Sequence, residues 1–182
     1  LKKIPKGKIV PIAGKEVLSF ARAIEGRPPV SMTAGITPED TCLIQYTGGT
    51  TGMPKGTILT HANLVANHTH AREWVRFELG EDVLCSGFPY FHLAGLAFGM
   101  LAMATANTQC LIPDPRNTKH ICKEIANHKA TIIAMVPTLY QMLLDDPAFG
   151  KIDFSPLKIC ISGAAPFSVD AINAMEAVVG KG

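Results

Sequence analysis

The sequence predicts an α/β fold in which alternating strands and helices form a mostly parallel sheet. Short apolar runs rich in β-branched residues alternate with segments of helical periodicity at least four times after residue 41. Of the 182 residues, 47% are hydrophobic and 18% are charged, which is typical of a chain that buries a core. The chain contains no internal repeat and no low-complexity segment, so a repeat architecture is not expected.

The first 41 residues are expected to be peripheral to this sheet. The segment "GKEVLSFARAIEG" predicts a helix, and "GRPPV" after it predicts an extended linker. We therefore divide the chain into a peripheral segment with its linker, 1–41, and an α/β subdomain, 42–182. This subdomain is expected to be truncated, because a doubly wound fold would add a strand after the last predicted helix. The apolar face of the N-terminal helix would carry Val17, Phe20, Ala21 and Ile24.

Five segments of the subdomain have the composition of strands, being short, apolar and partly β-branched. Each is bounded by glycine, proline or polar residues that favour turns. We expect most of these strands to run parallel, because helical segments separate them. The predicted strands are "TCLIQY" (41–46), "DVLCSG" (82–87), "QCLIP" (109–113), "TIIAMVP" (131–137) and "LKICISG" (157–163).

Five helices are predicted between and after these strands. Thr60 and Ser168 are suited to cap the first and the last, and Gly180 to end the last. The apolar segment Leu93 to Ala106 would span only ~21 Å as a helix, against ~30 Å for a bilayer core, so a buried helix is favoured over a membrane segment. The ranges are 61–79, 93–106, 118–129 (with Ile121, Cys122, Ile125 and Ala126 facing inward), 138–146 and 168–180.

Charge and cysteine content give no support for nucleic-acid binding, a disulfide framework or a zinc site. The net charge is +2 and no basic stripe occurs, so the sequence offers no electrostatic argument for nucleic acid. The five cysteines are odd in number and form no CxxC pair, which favours neither a disulfide framework nor a zinc site. We therefore expect reduced thiols, a cytoplasmic protein and no metal site built from the chain's own residues.

A glycine-rich run between Tyr46 and Gly56 is the strongest local signal for a ligand. Glycines permit the backbone angles by which several N–H groups converge on an anion, threonine hydroxyls add donors, and a lysine adds a charge suited to a polyphosphate. The run is neither a Walker loop nor a GxGxxG motif. Spacing alone leaves a phosphate-binding loop and a plain flexible turn open. The candidate phosphate-binding residues are Thr47, Gly48, Gly49, Thr50, Thr51, Gly52 and Lys55.

The segment "YTGGTTGMPKGTILTHANLVAN" resembles the phosphate-loop signature of the acyl-adenylate-forming enzymes. "FPYFHLAGL" (88–96) resembles that family's aromatic-histidine segment, and "SGAAPFS" (162–168) resembles its segment beside the nucleotide. The stretch 111–149 is similar to the corresponding part of the long- and medium-chain fatty acid CoA ligases. The resemblance implies that the chain is a fragment of the large N-terminal domain of such an enzyme, with 42–182 as its nucleotide- and acyl-binding subdomain.

Enzymes of this family join a carboxylic acid to ATP, with Mg²⁺, and then pass the acyl group from acyl-AMP to CoA. The resemblance implies that Lys55 and His92 are catalytic, that the glycine run holds the β- and γ-phosphates, and that Gly163, Ala164, Ala165 and Pro166 border the adenine and acyl pocket. The chain has alanine at 164, where the family frequently has glycine. Segments that hold magnesium, ribose and CoA in the family are absent from this sequence, so we expect little activity from this part alone.

Several alternatives stay open. His92 taken alone would be interpreted as a packed, hydrogen-bonded histidine. An amino-acid-activating domain is disfavoured, because Phe91 to Ala94 lacks the aspartate that pairs with a substrate amine. A non-catalytic nucleotide-binding module would keep the same glycine run as scaffold. The acyl length, an oligomer of the complete protein and an association with a membrane surface are not fixed by the sequence.

Overall fold

The structure is a computed structural model that describes residues 24–27, 35–48 and 52–180. The chain divides into two compact units, Leu1–Ile36 and Thr37–Gly182. In the first unit, the described residues include a turn in which the Arg27 N–H donates to the Ile24 carbonyl at 3.2 Å. The helix predicted around residues 14–26 lies outside the described residues except at its last three positions, and most of the predicted linker lies outside them too.

The second unit contains a four-stranded, wholly parallel sheet flanked by helices, which confirms the predicted α/β architecture. The strands of the unit are β1 (Thr41–Thr47), β2 (Lys55–Thr60), β3 (Val83–Ser86), β4 (Thr108–Cys110), β5 (Ile132–Met135) and β6 (Ile159–Ser162). The strand order in the parallel sheet is β4-β3-β5-β6. The helices are α1 (His61–Val75), α2 (Leu93–Ala104), α3 (Thr118–His128), α4 (Pro137–Leu144) and α5 (Val169–Val179), with a short 3-10 turn at Phe149–Lys151.

Strands β1 and β2 form a separate antiparallel hairpin, which the sequence analysis did not predict. Strand β2 therefore lies between the glycine run and helix α1. The segment "KGTILT" carries only a weak strand signal, because it is short and directly follows glycines. Pairing with β1 stabilises it, with Ile44 opposite Ile58 and Leu43 opposite Leu59.

The predicted helix caps are confirmed. The Thr60 hydroxyl accepts from the Asn63 N–H at 3.3 Å, and the Asn63 side chain accepts from the Thr60 N–H at 3.0 Å. This reciprocal pair satisfies two backbone donors at the start of α1. At the start of α5, the Ser168 hydroxyl accepts from the Ala171 N–H at 3.2 Å. Gly180 closes α5 with a positive φ of 95°.

The main core lies between the sheet and helices α3 and α4 and includes Ile133, Met135 and Leu143. Ile121, Cys122 and Ile125 are buried there as predicted, but Ala126 is exposed because the buried stripe of α3 is narrow. The helix predicted in the apolar segment 93–106 is confirmed as α2, but only one face of it packs inward, and Met103 is 76% exposed. No helix in the described ranges is long and apolar enough to cross a membrane.

A buried carboxylate joins the amino ends of three strands. Asp82, only 1% exposed, accepts from the Glu78 N–H at 2.7 Å, the Thr131 hydroxyl at 2.8 Å and the Lys158 ammonium at 3.0 Å. Burial opposes ionisation, but these hydrogen bonds hold the pKa of Asp82 below its ordinary value. The network fixes the starts of β3, β5 and β6 relative to one another, so that their carboxyl ends leave the sheet in a defined register.

Candidate functional site

The glycine run lies at the tip of the β1–β2 hairpin. Thr47 and Lys55 are register partners at the open end of the ladder, and the Thr47 hydroxyl donates to the Lys55 carbonyl at 3.3 Å. Both side chains are exposed. A hydroxyl and an ammonium group therefore stand at the two bases of the loop, while Gly49, Thr50 and Thr51 lie outside the described residues.

Two glycines near this loop have a backbone or packing reason to lack a side chain. Gly52 has a φ of +92°, a conformation that L residues rarely adopt. At Gly56, an added Cβ would lie 2.8 Å from the Ile44 Cγ2 atom on the paired strand. Gly56 thus allows the two strands to pack closely just after Lys55, a role that the sequence analysis did not assign.

The other two predicted site segments leave the same edge of the parallel sheet. Segment 87–92 follows β3 and segment 163–166 follows β6, on either side of β5. The Gly87 N–H donates to the Ala134 carbonyl at 2.9 Å, and the Gly163 N–H donates to the Met135 carbonyl at 3.3 Å. Carboxyl ends of parallel strands are where open α/β sheets bind ligands.

Phe88 brings these two segments together. An added Cβ on Gly163 would lie 3.8 Å from the Phe88 Cζ atom, and the Phe88 ring stacks on Phe98 of α2 with centroids 5.8 Å apart. The turn after β6 therefore lies against the aromatic segment that carries His92. This contact joins parts of the chain that are more than 70 residues apart in sequence.

His92 caps α2. Its Nδ1 atom accepts from the Ala94 N–H at 3.2 Å, and the residue is exposed. Because Nδ1 acts as an acceptor, the neutral ring carries its proton on Nε2, at the other end of the imidazole. His92 is thus hydrogen-bonded, as the interpretation of this residue taken alone implies, but it is exposed rather than packed. The geometry leaves an N–H donor on the exposed side of the ring.

Ala164 occupies a left-handed backbone conformation, with a φ of +67°. Residues Ala164, Ala165 and Pro166 are exposed, and Gly163 is half-buried. An alanine in this region costs free energy that glycine does not, because its Cβ crowds the following carbonyl. The departure from the frequent Gly-Gly-Ala-Pro pattern therefore falls at the strained position of the turn.

Two glycines of α2, which the motifs did not single out, hold the aromatic segment in place. An added Cβ at Gly95 would lie 2.2 Å from the Pro89 carbonyl oxygen, and one at Gly99 would lie 2.6 Å from the Tyr90 Cε1 atom. Both glycines are buried and lie four residues apart, on one face of the helix. The signal was present as two glycines within a predicted helix, where glycine is unfavourable without a packing reason.

A cleft of about 580 Å³ opens beside the aromatic segment, between the ends of β3 and β4. Tyr90 and Phe91 line one side, and segment 112–116 lines the other. Burial raises the pKa of Tyr90. On the far side, Arg116 pairs with Asp114 at 3.1 Å, and this contact holds the pKa of Asp114 below its ordinary value.

The structure does not join the hairpin loop to the sheet edge. Within 35–48 and 52–180, no hydrogen bond or ion pair connects Thr47, Gly48, Gly52 or Lys55 to segments 87–92 or 163–166. The described residues also contain no group of three or more His, Cys, Asp or Glu side chains that could hold a metal ion.

The chain matches the family model described as AMP-binding enzyme over residues 4–181. It is 31% identical over 170 residues to the long-chain-fatty-acid–CoA ligase of Yersinia pestis, an alignment that covers 91% of this chain and 30% of that protein. It is 37% identical over 150 residues to the long-chain-fatty-acid–CoA ligase of Bacillus subtilis, covering 80% of this chain and 26% of that protein. The chain therefore spans less than a third of these curated relatives.

Solved structures are also similar to this chain. The ATP-bound MatB from Rhodopseudomonas palustris has a TM-score of 0.74 and 29% identity, over 88% of this chain and 31% of that one. The N-terminal domain of FACL13 from Mycobacterium tuberculosis has a TM-score of 0.79 over 86% of this chain and 39% of that one, and at 23% identity it supports the fold. The predicted resemblance is confirmed: this chain belongs to the AMP-binding enzyme family.

Proposed function

We propose that the complete protein is an acid–thiol ligase that activates a carboxylic acid, of the fatty acid class, with ATP and transfers the acyl group to CoA. The observation that carries the proposal is that the glycine-rich run forms the tip of a hairpin, while the two other segments of matching sequence leave the parallel sheet at one end, on either side of β5. The identity to long-chain-fatty-acid–CoA ligases supports the acid class.

The hairpin residues are suited to the triphosphate. Attack of a carboxylate on the α-phosphorus of ATP places growing negative charge on the departing pyrophosphate, and donors fixed in advance lower the barrier. We assign this role to Lys55, Thr47 and the loop 48–52, including Gly48, Gly49, Thr50, Thr51 and Gly52. The ladder that ends at Thr47 and Lys55 holds the bases of the loop in place.

The segments at the sheet edge are suited to the other reactants. We assign to His92 the task of donating a hydrogen bond from Nε2–H to the acyl carboxylate or the α-phosphate, because Nδ1 is already occupied by the helix cap. We assign Gly163, Ala164, Ala165 and Pro166 to the border of the adenine and acyl pocket. Mg²⁺ would accompany ATP, and it is assigned no ligand among the described residues. Its charge would add to that of Lys55 on the phosphates.

The proposal includes a cytoplasmic location, in which ATP and CoA are available. All five cysteines are free thiols, which is the state that a reducing compartment maintains. Carboxylic acid, ATP and CoA are the proposed partners.

Pyrophosphate release by the complete protein tests this function. We expect release only when ATP and Mg²⁺ are combined with a carboxylic acid, and we expect straight-chain fatty acids to be more effective than amino acids. Amino acids as the better substrates would instead indicate an activating domain that serves a carrier protein. Binding of ATP without release by any acid would indicate a nucleotide-binding module and would overturn the enzyme assignment.

A further inference from the structure

A single buried tyrosine on α4 contacts both flanks of the turn after β6. Tyr140 is 1% exposed, and its hydroxyl lies 3.0 Å from the Ile161 carbonyl oxygen, two residues before Gly163. Its ring stacks on Phe167, directly after Pro166, with centroids 5.6 Å apart and an interplanar angle of 18°. The four residues of the turn are thus enclosed between two contacts of one side chain.

The hydroxyl also ties the turn to the neighbouring strand. It lies 3.0 Å from the Ile133 carbonyl oxygen of β5, so its one proton is shared between two strands of the sheet. Tyr140 lies three residues after Pro137, where α4 begins directly beyond β5. Helix α4, β5 and β6 are therefore locked together at the edge from which segment 163–166 departs.

The contacts of Tyr140 matter because the turn contains a strained residue. Ala164 is held at a φ of +67°, which an alanine leaves for a relaxed conformation when its surroundings permit. The turn itself is exposed at Ala164, Ala165 and Pro166, so its own side chains contribute little restraint. The restraint comes from its two ends, and Tyr140 touches both of them.

We propose that Tyr140 is a positioning residue for nucleotide binding: its hydroxyl and ring hold Ile161 and Phe167, and thereby fix the backbone of Gly163 to Pro166 against the nucleotide. This inference rests on the proposed function in that it takes the turn as part of the ATP site. It assigns Tyr140 no contact with substrate. The burial that raises the pKa of Tyr140 keeps the phenol protonated and therefore a donor.

The test compares three variants of the complete protein. Tyr140→Phe keeps the ring and its stacking but removes the hydroxyl. Phe167→Leu keeps an apolar side chain but removes the stacking partner. Thr105→Val is the matched control, because Thr105 is 2% exposed and its hydroxyl donates to the Leu101 carbonyl at 2.8 Å. Thr105 lies shortly before β4, at the amino end of the sheet and therefore opposite the turn after β6.

The primary measurement is the dissociation constant for ATP with Mg²⁺ by calorimetry, which does not require turnover. We expect Tyr140→Phe to raise it about fivefold, and Phe167→Leu to raise it in the same direction. We expect Thr105→Val to change it less than about twofold at a comparable loss in melting temperature. In the steady state, the KM for ATP should rise while kcat at saturating ATP stays within about twofold.

An ATP affinity in Tyr140→Phe that matches that of Thr105→Val would overturn the inference, as would an effect on the KM for the acid alone. If Tyr140→Phe does not fold, Phe167→Leu decides by the same criterion. Failure of the proposed function is a separate result, since it would appear as wild-type protein that binds ATP but releases no pyrophosphate with any acid. Wild-type protein that binds no ATP would overturn both.

Discussion

Ala164 is the residue at which the sequence and the backbone conflict. A left-handed conformation costs an L residue about 1–2 kcal/mol, and glycine avoids this cost. The strain lies in the turn that we assign to the nucleotide, where strained residues often occur for functional reasons.

Replacing Ala164 by glycine should therefore stabilise the chain. Glycine relieves the strain but adds conformational freedom to the unfolded state, so we expect a net gain of about 0.5–1 kcal/mol in the free energy of unfolding. Urea denaturation measures it. Ala165→Gly is the control, because Ala165 has no positive φ and should lose stability instead. A loss in both variants would show that the strain at 164 is not relieved by glycine.

His92 combines a structural and a proposed chemical task in one ring, and two substitutions separate them. His92→Ala removes both the helix cap and the exposed donor, so we expect it to cost about 1 kcal/mol of stability and to slow acyl-adenylate formation. His92→Asn restores a capping oxygen near the place of Nδ1 but not the donor at Nε2. We expect it to recover stability and to remain slow.

Thermal unfolding and adenylate formation, measured on the same preparations, check this separation. The ATP dissociation constant should stay nearly unchanged in both variants. Recovery of the rate by His92→Asn would show that capping is the whole contribution of His92.

Among the elements, the amino-end network at Asp82 makes a prediction about pH. The ordinary pKa of an aspartate carboxyl is near 4, and the folded-state pKa of Asp82 lies below it. The ionised carboxylate therefore contributes stability that is fully present above about pH 4 and is lost as the pH falls through the folded-state pKa. Removing the charge by Asp82→Asn should cost about 1.5–3 kcal/mol at neutral pH.

The measurement is the free energy of unfolding of wild type and Asp82→Asn between neutral and acidic pH. The gap between them should shrink below pH ~4. Comparing the pair removes the contributions of other carboxylates with lowered pKa values, such as Asp146 and Asp153. A gap that stays constant into acid would show that the Asp82 charge does not stabilise the fold.

The close approach of helix α2 to the aromatic segment leads to a second prediction. Gly95→Ala inserts a Cβ where the Pro89 carbonyl oxygen lies, so the helix and the aromatic segment must separate. We expect a loss of about 1–3 kcal/mol in the free energy of unfolding, as for other overpacked sites. Gly150→Ala is the control, because an added Cβ there meets nothing within 4 Å. Equal stability of both variants would contradict the close approach.

The sequence allowed most helices and strands to be predicted, but neither strand β2 nor the exposure of individual side chains on a helix. The strands of the parallel sheet and the caps at Thr60 and Ser168 have strong local signals. Strand β2 does not, because six residues after a glycine run acquire their structure from pairing with β1. The exposure of Met103 is likewise a tertiary property that helical periodicity does not encode.

For the whole molecule, motifs predicted which segments form the candidate site, and topology determined how they meet. The order β3-β5-β6 brings the ends of β3 and β6 to either side of β5, so that the Phe88 ring lies beside Gly163. No local pattern in the sequence states this order. No local pattern singles out Tyr140 either, because its proposed role depends on contacts with Ile161 and Phe167, which lie 21 and 27 positions later in the chain.

We propose that this chain carries the ATP-binding part of an enzyme that forms acyl-AMP. Labelling both carboxylate oxygens of a fatty acid with a heavy oxygen isotope tests it in the complete protein, supplied with ATP, Mg²⁺ and CoA. If the carboxylate attacks the α-phosphorus, thiolysis by CoA leaves one labelled oxygen in AMP. We predict labelled AMP from wild type and the same product about a hundredfold or more slowly from Lys55→Ala. Unlabelled AMP, label in inorganic phosphate, or an undiminished rate in Lys55→Ala would contradict the account.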